Sequence, residues 1–224
     1  MRFVESYVDA LKRPRGLWVL ASNAIPVIGV AIFGWQVLPL LVFYWIENVV
    51  VGAINFLKIL ATSVTKPMPE AAGGVFLAAF FVVHYGLFCF VHGMFVFAIF
   101  TMAQLVHGGA EPTTDSFDLL SQVGQVLTRD SDLLWSVAGL IVVRAGEFLV
   151  LWVGVGRWRE TDAKAQMMEP YGRILVLHAT IVIGALPVIA LGQPMIAVLI
   201  LALLKTGLEL GLGAFKPQIP EKSV

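Results

Sequence analysis

Charge is what this chain has least of. Of its 224 residues only 13% are Asp, Glu, Lys or Arg, about half the share of a soluble domain. The formal net charge is zero, so no basic field marks it for nucleic acid. Cysteine is nearly absent: Cys89 stands alone, which excludes an intrachain disulfide. It lies between Phe88 and Phe90, and a thiol in so apolar a setting is inert as a nucleophile. Ser22 and Ser136 are the only serines inside apolar runs, and neither sits in G-x-S-x-G. No strand pattern precedes a glycine-rich turn, so a phosphate-cradling loop is excluded as well.

What is there is apolar length. Hydrophobic residues make up 58% of the chain, and the mean hydropathy is +0.87. Six apolar runs fall at about 17–33, 37–60, 74–104, 133–155, 174–191 and 195–215, each near or above the length that crosses a bilayer as a helix. The fold class expected is all-α: a polytopic transmembrane bundle of about six spans, occupying 17–215. The first run reads as a retained anchor rather than a cleavable signal. Short connections at 34–36 and 192–194, the latter Gly192-Gln193-Pro194, make antiparallel hairpins.

Two further segments carry helical amphipathicity. In 1–13, Phe3, Val4, Tyr7, Val8 and Leu11 share a face opposite Glu5, Asp9 and Lys12, the pattern of a helix lying in the membrane interface, with Pro14 breaking it. The connection 105–132 is acidic. Within it Leu119, Leu120, Val123, Val126 and Leu127 share one face. Asp115 and Asp118 offer a capping start, so 116–128 is expected to be a helix lying on the outer surface. Lysine and arginine set the orientation. Arg2, Lys12, Arg13, Arg15, Lys58, Lys66, Arg157, Arg159, Lys164, Arg173, Lys216 and Lys222 fall on one side, against Arg129 on the other. That asymmetry places both termini, including the tail 216–224, in the cytoplasm of a multi-pass cell-membrane protein.

Ionisable and strongly polar residues inside the spans are few: Glu47, Asn48, Asn55, His84, His92, Arg144, Glu147, His178, Lys205 and Glu209. Each charge at the bilayer centre costs at least about 2.5–3.5 kcal/mol on insertion scales, so each must find a partner. Arg144 and Glu147 are spaced i, i+3, and Lys205 and Glu209 i, i+4, so each pair shares a helix face. Imidazole with carboxylate suits a divalent transition metal. His84 and His92 lie eight residues apart, about 12 Å along a helix, and cannot hold one ion together. The candidate metal set is therefore His84, His178, Glu47 and Glu147, with His84 and His178 expected to approach each other. Arg144, Lys205, Asn48, His92 and Glu209 are the surrounding polar residues.

Several motifs then add up: Tyr44-Trp45-Ile46-Glu47-Asn48, H-Y-G-x-F at 84–88, H-G-x-F at 92–95, P-Y-G-R-I-x-x-x-H at 170–178 and K-T-x-x-E at 205–209. Together they resemble a bacterial and archaeal family of small six-helix membrane proteins known only as a domain of unknown function. The resemblance implies a membrane location and a shared polar set, and it brings no reaction. Three functions stay open on the residues alone. One is a metal-binding or proton- or solute-translocating site inside the bundle. The second is a structural or partner-binding role in which the polar residues only tie helices together. The third is a metal-dependent intramembrane enzyme whose catalytic residues are unknown. The bilayer is the one partner implied, and association with further copies of the chain remains open.

Overall fold

The computed structural model describes residues 14–108, 118–172, 174–175, 178–179, 183 and 203–207. The segments 1–13 and 216–224, most of 174–191 and 195–215, and Glu209 lie outside the described residues. The described part is 86% helical and contains no strand. Its helices are α1 (Pro14–Ala31), α2 (Val37–Val64), α3 (Glu70–Val106), α4 (Leu119–Arg129), α5 (Ser131–Phe148) and α6 (Ala163–Met168). Three stretches, Leu38–Val64, Glu70–Val106 and Ser131–Gly154, are long and apolar enough to cross a membrane. The chain is an all-α transmembrane bundle.

Local chemistry sets the helix ends. After α1 the chain reverses at Gly34, whose φ of +66° suits glycine. Trp35 then folds back: its backbone N–H donates to the Gly29 carbonyl at 3.0 Å. Its ring lies 2.5 Å from where a Cβ on residue 29 would stand, so position 29 admits only glycine without a shift. Asp118 caps α4 by accepting from Ser121 N–H, and Asp130 caps α5 by accepting from Leu133 N–H at 2.9 Å. The last turns of α5 widen into a π-helical stretch, Leu149–Val153, closed by Gly154 N–H donating to the Leu149 carbonyl at 2.8 Å. A left-handed Gly156 ends it, a 3-10 turn covers Arg157–Arg159, and Asp162 caps α6.

Helix α2 is the centre. It packs along α3 and also touches α1, α5 and α6. Its core residues divide into two clusters. One gathers Trp35, Leu40, Phe43 and Tyr44 with Val96, Phe97, Leu119, Leu133 and Leu140. The other gathers Ile59, Ala78, Phe81, Tyr85 and Ile174. Between them along α2 lie Glu47, Asn48 and Asn55, all buried. On α3 the buried positions Gly74, Ala78, Phe81, Tyr85, His92 and Val96 follow helical spacing, whereas Phe76, Val83, Leu87 and Phe90 are exposed. A helix of 37 residues that is apolar on every face needs a solvent of its own polarity, which lipid supplies.

The helix α4 differs in detail from expectation. It starts at Leu119, capped by Asp118; Asp115 lies outside the described residues. Leu119 and Val123 enter the first core cluster, with Val126 and Leu127 packed against it. Leu120, expected on that same face, is 76% exposed. One residue is a 100° step on a helix, so burying Leu119 against α3 and α5 turns Leu120 outward.

Close helix approach generates a test. A Cβ on Gly52 would lie 2.4 Å from the Tyr85 ring, whereas one on Gly86 would meet nothing within 4 Å. Gly52→Ala should lower stability by about 1–3 kcal/mol through overpacking. Gly86→Ala should be tolerated, with thermal unfolding in detergent as the readout. Equal midpoints for the two variants would contradict the α2–α3 packing.

Candidate functional site

The buried charges meet in one network. Glu47, near the middle of α2, is held between two cations from different segments. Arg144 on α5 donates through Nη2 to Glu47 Oε1, and Lys205 donates through Nζ to Glu47 Oε2 at 2.6 Å. Arg144 Nη1 also donates to Glu147 Oε2 at 2.9 Å, one turn along its own helix. The Lys205 ammonium additionally sits 4.6 Å from the centre of the Tyr44 ring, within cation–π range. The Arg144, Lys205 and Glu47 side chains are only 2%, 3% and 4% exposed. Two carboxylates and two cations bring the formal charge of the cluster to zero. That balance lets it sit in a low-dielectric interior, where any one of the charges alone would be very costly.

This arrangement redistributes the expected site. The Arg144–Glu147 pair forms as the i, i+3 spacing implies. Lys205 reaches across to Glu47; its expected partner Glu209 lies outside the described residues. Glu47 and Glu147 are thereby engaged by cations rather than gathered with imidazoles. His84 stacks on Phe80 at 5.3 Å and meets Phe88 and Tyr171 at 5.7 and 6.0 Å between ring centres. Burial pushes the Tyr171 phenol up from its ordinary value. Among the described residues no group of three or more His, Cys, Asp or Glu could hold a metal ion. The expected metal set of His84, His178, Glu47 and Glu147 is therefore not assembled.

The partner of His178 is His92. His92 Nε2 and His178 Nδ1 are 3.1 Å apart, and His92 Nδ1 lies 2.8 Å from the Phe88 carbonyl. His92 is buried, whereas His178 is exposed. Depth along each span had matched His178 with His84. The pairing is decided instead by which side of α3 faces the fifth apolar segment, and that is not legible from depth. A small crevice beside His92 is lined by Trp45, Asn48, Phe88, Cys89 and Ile174. Its wall is held by polar groups reaching between helices. Trp45 Nε1 donates to the Cys89 carbonyl at 2.6 Å, and the Tyr85 hydroxyl donates to the Asn48 carbonyl at 3.0 Å. Asn48 Nδ2 donates to the Tyr44 carbonyl at 2.9 Å.

A second polar cluster centres on Gln166, which sequence reasoning missed. Gln166 Nε2 donates to Asn55 Oδ1 at 2.8 Å, and Asn55 Nδ2 donates to the Gln166 backbone carbonyl at 3.1 Å. Trp152, on the π-helical stretch, donates through Nε1 to Gln166 Oε1 at 3.3 Å. Gln166 Nε2 also donates to Glu169, which Lys58 binds at 3.3 Å. The available signal was Asn55 itself: an amide inside a span requires a partner. Which loop residue folds in to meet it is not marked by periodicity.

Residues 8–223 match the family of unknown function DUF6498. The chain belongs to that family. No curated protein and no solved structure matches it. The family supplies no reaction, so the chemistry of the site rests on the contacts above.

The amide pair should be mutually dependent. Gln166→Leu leaves the buried Asn55 amide without the bond from Gln166 Nε2 and should cost about 1–3 kcal/mol. Asn55→Leu together with Gln166→Leu should recover part of that loss, because no Asn55 amide is then left buried without its bond, although Trp152 Nε1 and the residue 166 carbonyl still lose theirs. A double-mutant cycle of unfolding midpoints in detergent measures the coupling. Strictly additive effects would show that the two amides act separately.

Proposed function

We propose that this chain is a multi-pass membrane protein whose intramembrane charges serve to tie helices together, in a structural or partner-binding role. The observation that carries this reading is Glu47 held between Arg144 and Lys205, with Glu147 balancing the cluster. Every member of the network spends its charge on another member, and the interactions link α2, α5 and the segment at 203–207. Charge-assisted contacts of this kind fix which helices pair and in what register. The crevice beside His92 is lined by none of these four charged residues. In this reading the chain crosses the cell membrane six times, with both termini in the cytoplasm.

The network makes a directional prediction. Arg144→Met leaves two carboxylates facing one lysine and should destabilise the protein by about 3–5 kcal/mol, the usual result of breaking a buried ion pair from one side. Arg144→Met with Glu147→Gln restores a neutral Glu47–Lys205 pair and should recover roughly half of that loss or more. Unfolding midpoints in detergent measure both. A single variant as stable as the parent, or a double variant no better than the single, would overturn the tie.

Topology is tested separately. Reporter fusions after Lys66 and after Arg159 should report the cytoplasm, and one near Thr114 should report the opposite side. A reversal at any of the three would reject the orientation.

A further inference from the structure

The contact between His92 and His178 constrains where protons can be. A backbone carbonyl only accepts, so His92 Nδ1, 2.8 Å from the Phe88 carbonyl, must carry hydrogen. In a neutral ring the other nitrogen, Nε2, is then bare and can only accept. His178 Nδ1, 3.1 Å away, must therefore be the donor. The neutral pair has one consistent arrangement: His178 Nδ1–H points to His92 Nε2, and His92 Nδ1–H points to the Phe88 carbonyl. The nitrogen of His178 not used in this contact is Nε2, and His178 is the exposed member of the pair.

We propose that His92 and His178 form a site for a single proton, taken up at Nε2 of His178 and shared across the contact with buried His92. The step balances without any other reactant. A proton bonds to His178 Nε2, the one ring nitrogen of the neutral pair that neither carries hydrogen nor accepts within it. The proton on His178 Nδ1 passes to His92 Nε2. His178 is then neutral and carries hydrogen on Nε2, and His92 is an imidazolium with hydrogen on both nitrogens. In either position the charge strengthens the hydrogen bond between the rings. A second proton is excluded while the contact holds, because both facing nitrogens would then carry hydrogen and both rings a positive charge.

Among the described residues the surroundings leave the pair to itself. On α3 the nearest titratable group is Cys89, which lines the same crevice. Tyr85, also on α3, is bonded to the Asn48 carbonyl. On α2 the crevice presents neutral Trp45 and Asn48, and Glu47 is committed to Arg144 and Lys205. The fifth apolar segment contributes Ile174 to the crevice, and Tyr171 just before it lies against His84. Sequence exposes none of this, since the two histidines lie 86 residues apart.

The test uses the full chain, labelled with ¹⁵N-histidine, in lipid nanodiscs. Two-bond ¹⁵N–¹H spectra are followed between about pH 5 and 8, the range in which histidine changes charge. The expected result is one shared step for His92 and His178 with one proton taken up per pair. A coupling across the N–H···N bond should appear, and His92 should hold the Nδ1–H tautomer when neutral. His178→Phe, at an exposed position, should keep the fold while His92 loses the shared step, and His107 serves as reference at the end of the same helix. Two independent steps taking up two protons in this range would overturn the proposal. So would a His92 titration unchanged by His178→Phe, or the opposite His92 tautomer.

Discussion

The pairing of Glu47 with two cations is the constraint on which the rest of this bundle depends. A carboxylate in the middle of α2 cannot stay ionised in an apolar interior unless compensated, and Arg144 and Lys205 approach it from two other segments. The low dielectric that penalises an unpaired charge also strengthens the paired one. Arg144 brings Glu147 with it, so the cluster closes at zero formal charge. The two apolar clusters lie on either side of this level along α2. They can pack in the register they have only if the charges between them meet.

Polar side chains elsewhere serve the same end by milder means. In lipid there is no water to satisfy a stray donor, so each buried polar group must be met from within the protein. Trp45 answers a carbonyl on α3, Tyr85 answers one on α2, and Gln166 folds inward to complete Asn55. These bonds fix the sliding and rotation of neighbouring helices, which apolar contact alone does not. Small residues complete the fit: Gly52 admits the Tyr85 ring, and Gly93 admits Trp45 and Leu119. On α3 the exposed side chains are as apolar as the buried ones, so size and polar contacts, more than hydrophobicity, decide which face turns inward.

The histidines show how the same rule can leave chemistry behind. His84 is absorbed among aromatic rings, whereas His92 and His178 satisfy each other across two segments. A histidine pair is a different kind of tie from the ion network. Its hydrogen bond can be kept while a proton is added, because each ring has a second nitrogen.

The sequence by itself determined the class of fold and the inventory of the interior. Scarce charge and long apolar runs are set by residue type alone, so a helical membrane bundle was legible before any contact was known. The same holds for the Arg144–Glu147 pair, because an i, i+3 spacing is a property of the helix itself. Tertiary structure decided every partnership between segments. Lys205 met Glu47 on another segment, His178 met His92 rather than His84, and Gln166 met Asn55. Periodicity gives a residue's angle on its own helix and its approximate depth. It says nothing of how two helices are rotated and shifted against each other. That rotation follows from the joint packing of α2, α3 and α5 around a charge that has to be neutralised, which no single helix encodes.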